Sequence, residues 1–206
     1  EDGVITTSGT NVSLPGWTGS LTKVRLNGFS TIGGYPTPTD PTPKPYSNTT
    51  GDSYTSGSIT ASIKFSTDVR PGSTGVRSLE LSNSGSTYRY GIMRGPYVIS
   101  QSSIRVEPGD QLSFWWKAKG GSDAYDVFAY LLNETTGSTV ICFDRNDNTT
   151  TATPWTQVTK TIGPTEVGSY KFVFICGSYD KSGGNAVGAT LYLDDVSIIP
   201  INPYSS

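Results

Sequence analysis

The stretch Gly168–Ile199, GSYKFVFICGSYDKSGGNAVGATLYLDDVSII, decides the fold. It holds two strand-like segments, Tyr170–Cys176 and Ala189–Ile198, joined by a Gly-rich loop. Phe172, Val173, Phe174 and Ile175 put apolar groups on both faces, so this strand reads as central and covered on both sides. The closing strand LYLDDVSI places Asp194 and Asp195 side by side among apolar residues. Alternation sends them to opposite faces, so at least one carboxylate points toward packed structure. There it needs a cation, a set of donors or a raised pKa.

Outward from this stretch the chain is a succession of short strands. Candidates run over Ser58–Phe65, Arg77–Ser82, Tyr88–Met93, Tyr97–Val106, Gln111–Lys119, Asp126–Leu132, Ser138–Phe143 and Trp155–Ile162, separated by turns such as RPGS, EPGD and GPTEVGS. Many short strands between turn signals, with no helix-period pattern and no fixed repeat, mean a sandwich or barrel. The 206 residues are enough for one all-β domain with a real core. Leu21–Phe29 reads as a further strand. The Pro-rich stretch GGYPTPTDPTPKPY that follows cannot be a central strand. We read an arm or insertion over about residues 30–57: a plain exposed loop, a contact with a neighbouring subunit, or the wall of a cleft. A short polar tail covers residues 200–206.

Composition excludes several functions. A net charge of −2, thinly spread, does not supply the basic stripe that nucleic acid requires. No apolar run reaches the length of a membrane span. With no His, the commonest general base and transition-metal ligand are both missing. The five glutamates, at 1, 80, 107, 134 and 166, are isolated from one another, so catalysis is not expected. Cys142 and Cys176 both fall in strands and read either as two buried thiols or as a disulfide between neighbouring strands. Asp123, Asp126, Asp144, Asp147 and Asp180 lie near loop ends and read as solvated turn residues.

Strand alternation singles out candidate ligand contacts. In QLSFWWKAK, Leu112, Phe114, Trp116 and Ala118 share one face, which leaves Trp115 on the polar face with Ser113 and Lys117. A Trp there is either a stacking surface for a sugar ring or the floor beneath a loop. Tyr130 is a second candidate, though a Tyr so placed is more often simply buried with its hydroxyl bonded. Tyr90 with Arg94 in YRYGIMRGPY reads either as a further part of the set or as a strand with an exposed Arg.

Both chain ends carry a family likeness. The opening EDG…LPGW and the closing LYLDDVSI, with GVRSLELS, VEPGDQLSFWWKAKGG and WTQVTKTI in order between them, resemble jelly-roll carbohydrate-binding modules of the family four and nine type, with their galactose-binding-like β-sandwich. YDVFAYLLNETTGSTV and the final stretch look like modules of bacterial surface adhesins and phage fibre or virion proteins. The likeness covers most of the chain, Gly28–Gly57 being the clear departure. It implies a single two-sheet antiparallel jelly-roll β-sandwich over 1–206, outside the cell or on a cell or virion surface, that binds glycans. It also implies a structural calcium held by Glu1 and Asp194, with Asp2 or Asp195 assisting; carboxylates and carbonyls suit that ion. The alternative role is a structural subunit of an extracellular filament, fibre or capsid decoration, assembled onto neighbouring subunits through its arm or terminal strands.

Overall fold

The computed structural model describes residues 3–25, 43–45, 59–87, 91–147, 152–184 and 186–201. These residues form strands and turns, with no helix among them. Three short strands open the chain: β1 (Thr6–Ser8), β2 (Asn11–Leu14) and β3 (Trp17–Ser20). Next come β4 (Val24–Arg25), β5 (Lys44–Pro45), β6 (Ala61–Ser66), β7 (Ser78–Thr87), β8 (Ile92–Ser100) and β9 (Ile104–Val106). The remainder is β10 (Gln111–Gly120), β11 (Ala124–Leu132), β12 (Thr139–Asp147), β13 (Thr153–Thr161), β14 (Gly168–Tyr179) and β15 (Ala186–Ile199).

Two antiparallel sheets result. Sheet 1 has the order β1-β2-β3-β8-β14-β11-β12, with β9 paired to the start of β14; sheet 2 has the order β13-β10-β15-β7-β6. From β7 onward the chain passes repeatedly between the two sheets, so the fold is a jelly-roll β-sandwich. The expected central strand is there: β14 lies between β8 and β11, with Phe172 and Phe174 facing the other sheet and Val173 and Ile175 facing away, all buried.

Alternation builds the layer between the sheets. Leu112, Phe114, Trp116 and Ala118 of β10 meet Tyr125, Val127, Ala129 and Leu131 of β11 and the Phe pair of β14. Phe114 sits edge-on to Phe174 at 5.2 Å, and Trp116 stacks on Phe143 at 4.9 Å. Tilted and edge-on aromatic pairs of this kind add to the area they bury. Trp17 joins this core from the N-terminal hairpin, 5.7 Å from Phe174, as an aromatic after a tight turn should.

Three strand readings change. Tyr97–Val106 is two elements, β8 and β9, because the chain turns at Gln101–Ser103 and then pairs with β14. Tyr88–Met93 is not a unit: β7 ends at Thr87, β8 starts at Ile92, and residues 88–90 lie outside the described residues. Of Leu21–Phe29, residues 21–25 are described, and among these Val24–Arg25 is strand, paired with Lys44–Pro45, an edge position that tolerates Pro.

These two short strands are the described roots of the Pro-rich arm, and β4 touches the outer face of sheet 1. Val24 is fully buried against Phe128, Tyr130, Leu132, Val173 and Ile175. Thr22 and Lys23 cross β8 at Gly95, where a Cβ would stand 2.4 Å from the Thr22 carbonyl oxygen. Gly95 also has φ 123°, so only glycine serves both needs. Gly95→Ala is therefore expected to lower stability by roughly 1–3 kcal/mol, read as a fall in the urea midpoint; an unchanged midpoint would contradict this packing.

Candidate functional site

The bulge between β10 and β15 shapes the region of interest. Ser113 pairs with Ser197, but Trp115 pairs with Asp194, so β15 carries an extra residue opposite Phe114. Asp195 sits there with φ 49°, the sole positive value among the described non-glycine residues. Asp tolerates this left-handed region better than most side chains. The bulge keeps Asp194 on the outer face of sheet 2 and turns Asp195 toward residues 67–77, the β6–β7 connection.

That connection lies over the outer face of sheet 2. Asp194 Oδ2 accepts the Arg70 backbone N–H at 3.0 Å, and Asp194 Oδ1 accepts the Asp195 N–H at 2.9 Å. Arg70 Nε donates to Asp195 Oδ2 at 2.5 Å, and the guanidinium stands 5.5 Å from the centre of the Trp115 ring. Burial pushes the Asp194 carboxyl above the ordinary range, opposed by the Arg70 N–H. Two residues before Arg70, Asp68 takes the Lys117 ammonium and, at 2.9 Å, the Trp155 indole N–H. Lys117 in turn lies 4.9 Å from the Tyr192 ring centre.

A cavity of about 590 Å³ opens beside this contact. Trp115, half-buried, Gln157 and Ser113 form its sheet wall; Arg70 and Arg77 come from the connection, Asp194 and Asp195 from the bulge. Leu14, Trp17 and Phe174 of sheet 1 and Phe65, Leu79 and Leu193 of sheet 2 line its apolar part. An aromatic wall with a few convergent polar groups is the composition of small-molecule sites.

The four candidate ligand residues do not form one site. Trp115 faces out from sheet 2, at the cavity and beneath the Arg70 guanidinium. Tyr130 and Arg94 face out from sheet 1 and are 1% and 3% exposed, Tyr130 packed with Val24 of the arm root. Tyr90 lies outside the described residues. Arg94 instead forms a buried ion pair with Asp126, at 3.1 Å, and stands 4.4 Å from the Phe128 ring centre. Sequence reading missed Arg70, Arg77 and Gln157, since nothing in a turn such as VRPGSTGVR says which face it will cover.

Several acidic residues also change role. Asp126 is a fully buried strand residue, Asp180 is fully buried and Asp123 nearly so, with Asp123 Oδ2 bonded to Ser182. Asp144 and Asp147 belong to β12 rather than to a turn. Cys142 and Cys176 are free thiols. Strand β11 separates β12 from β14, and two spacings of about 4.8 Å exceed the Cα separation a disulfide can bridge. Burial pushes the Cys142 thiol up to about 12 and Cys176 further, so neither is a ready nucleophile.

Of the expected calcium ligands, Asp194 and Asp195 are described and adjacent, while Glu1 and Asp2 lie outside the described residues. No group of three or more His, Cys, Asp or Glu side chains is placed to hold a metal ion among the described residues. The Asp194 oxygens are met by backbone N–H groups and Asp195 by a guanidinium, so these two residues alone do not amount to a calcium shell of six to eight oxygens.

No protein-family model matches the chain, and no curated protein has a matching sequence. Solved structures do resemble it. A carbohydrate-binding module of the β-sandwich superfamily matches with TM-score 0.41 and 14% identity, over 68% of this chain and 54% of that one. The enzymatically active domain of tailspike protein 4 from bacteriophage CBA120 matches with TM-score 0.38 and 14% identity, over 67% of this chain and 17% of that one. A family 4 carbohydrate-binding module matches with TM-score 0.32 and 18% identity, over 68% and 92%. The chain thus spans about half of the first and less than a fifth of the second. Carbohydrate-binding modules of the class the sequence resembles are therefore among its structural neighbours, and at these identities the likeness concerns architecture alone.

The Lys117 ammonium, and then the Trp155 indole, hold Asp68 below the ordinary carboxylate range. With the folded value below the unfolded one, this anchor contributes above the unfolded pKa of about 3.9 and is lost as pH falls through the lower, folded value. Protection of the Arg70 amide, its exchange rate set against that of an unstructured chain at the same pH, is expected to fall over that acid window, and Asp68→Asn to give the low protection at neutral pH. Exchange that is slow in the variant would show that Asp68 does not fasten the connection.

Proposed function

We propose that this domain binds glycans without transforming them, and that the sugar enters the cavity beside Trp115. The observation that carries the reading is the half-buried Trp115 ring set in a 590 Å³ cavity whose rim holds Arg70, Gln157 and the Asp194–Asp195 pair. A pyranose presents a C–H face that suits an indole and a ring of hydroxyls that suits such donors and acceptors. Glycoside hydrolysis needs two carboxyl groups flanking the scissile bond. Asp194 and Asp195 are instead sequence neighbours on one wall, each engaged with the β6–β7 connection, which favours binding over chemistry. A cell or virion surface is the location that goes with this role. We rank the filament-subunit alternative second: the open edge strand β13 carries Pro154 and Lys160, residues that discourage edge pairing.

A glycan array followed by calorimetry tests the proposal. Trp115→Ala is expected to weaken binding about tenfold or more, a loss on the order of 1–3 kcal/mol for an aromatic stacking partner. The absence of any glycan ligand for the wild-type chain, with calcium present, would overturn it.

Structural calcium at the same corner is a separate proposal. Gly3 lies against Pro15, and Pro15 lines the cavity with Asp194, so the described start of the chain is near the cavity that holds the two carboxylates. Millimolar calcium should then raise the melting temperature and chelation reverse it, by mass action on the folded state alone. Equal melting temperatures in calcium and in chelator would remove the ion from the account.

A further inference from the structure

The two arginines of the cavity are in different states. Arg70 is engaged three times: its backbone N–H with Asp194, its Nε with Asp195 and its Nη1 with the Pro71 carbonyl at 2.9 Å. Arg77 is exposed and lines the same cavity, yet among the described residues it has neither an ion pair nor a hydrogen bond. Its guanidinium lies 5.5 Å from the centre of the Phe65 ring, a contact that steadies the group and uses none of its N–H donors. A guanidinium presents five donors in a fork that fits a carboxylate or a sulfate two-pronged. Arg70 offers a second such fork, held for now by Asp195.

Asp195 is the counterpart of this arrangement. Its carboxylate reaches Arg70 because the bulge puts its backbone at φ 49°. Its side chain is 38% exposed, so an incoming anion can compete for Arg70 from solvent. Neutral hydroxyls need no such exchange.

Resting on the glycan-binding reading, we propose that the cavity takes saccharides carrying an anionic group, a uronic-acid carboxylate or a sulfate. Arg77 meets that group, and Asp195 is its internal competitor for Arg70. Two substitutions then act in opposite directions. Arg77→Gln removes the unengaged cation. Asp195→Asn releases Arg70 while keeping a residue that accepts a left-handed backbone.

The test is calorimetry on the full chain with an oligogalacturonate, with its methyl ester, which has the same ring without the charge, and with a sulfated oligosaccharide. At least one acidic ligand should bind about tenfold or more tighter than the ester, the worth of one charge-assisted contact, and bind less tightly as salt rises. The two acids compared with each other show which anion is preferred. Arg77→Gln should abolish the preference for acid while melting as the wild type does, and Asp195→Asn should raise acid affinity a few-fold, the Arg70 backbone N–H bond to Asp194 still holding the connection in place. Ester and acids bound equally, or Asp195→Asn weakening the acids, would overturn the proposal. Binding confined to neutral glycans and lost in Trp115→Ala would overturn it and leave the glycan-binding reading intact, whereas no glycan binding at all would end both.

Discussion

Two neighbouring carboxylates inside a closing strand must each find donors, and the way they do so organises one whole face of the sandwich. A regular strand would send Asp194 and Asp195 to opposite faces, one of them into the core beside Leu193 and Val196. The bulge avoids that burial. It leaves Asp194 under the β6–β7 connection, where two backbone N–H groups meet it, and brings Asp195 to the Arg70 side chain. One residue of the connection thus serves both acids. The same contacts hold Arg70 above Trp115 and close one side of the cavity, so the interaction that satisfies the strand also builds the site.

Sheet 1 answers a different problem. Its inner face packs on sheet 2, and at β11 and β14 its outer face is apolar as well: Phe128, Tyr130, Leu132, Val173 and Ile175. Left open, such a patch would favour association. The segment Thr22–Val24 lies across it, close over Gly95, and the Arg94–Asp126 pair is buried on the same side. Burying a charged pair is favourable only with tight geometry and further partners, and the ring of Phe128 beside the Arg94 guanidinium is one such partner. Sheet 1 is therefore dry on both sides at its centre, which is why every residue of β11 is buried.

Much of this was legible in the residues themselves. The four-residue apolar run Phe172–Ile175 announced a strand covered on both faces, and the period of two in β10 separated Trp115 from Trp116 correctly. The two carboxylates of β15 were marked as a problem to be solved. Their solution was not legible, because Arg70 lies over a hundred residues away and its role depends on which face the connection crosses. Alternation alone left Tyr130 between a sugar platform and a buried ring. It places the side chain away from the inner layer, but whether that side is wet depends on a distant segment laid over it. The three short N-terminal strands were overlooked, since runs such as Thr6–Ser8 and Asn11–Leu14 are too short and too polar for periodicity to register.

With the centre of sheet 1 covered, the outer face of sheet 2 is where aromatic side chains and polar groups meet near solvent. Trp155, Tyr192 and Lys117 are fastened to one another and to Asp68, which leaves Trp115 at the cavity. An indole stacks on many sugar rings with little preference, because the C–H faces of pyranoses are alike. Selectivity at such a site must therefore come from the polar rim. On this rim the carboxylates are already met by the chain's own donors, while one of the two guanidiniums is not. On the proposed reading, a rim with saturated acids and an unengaged base would discriminate by charge sooner than by hydroxyl pattern, since a charge-assisted hydrogen bond contributes more than a neutral one.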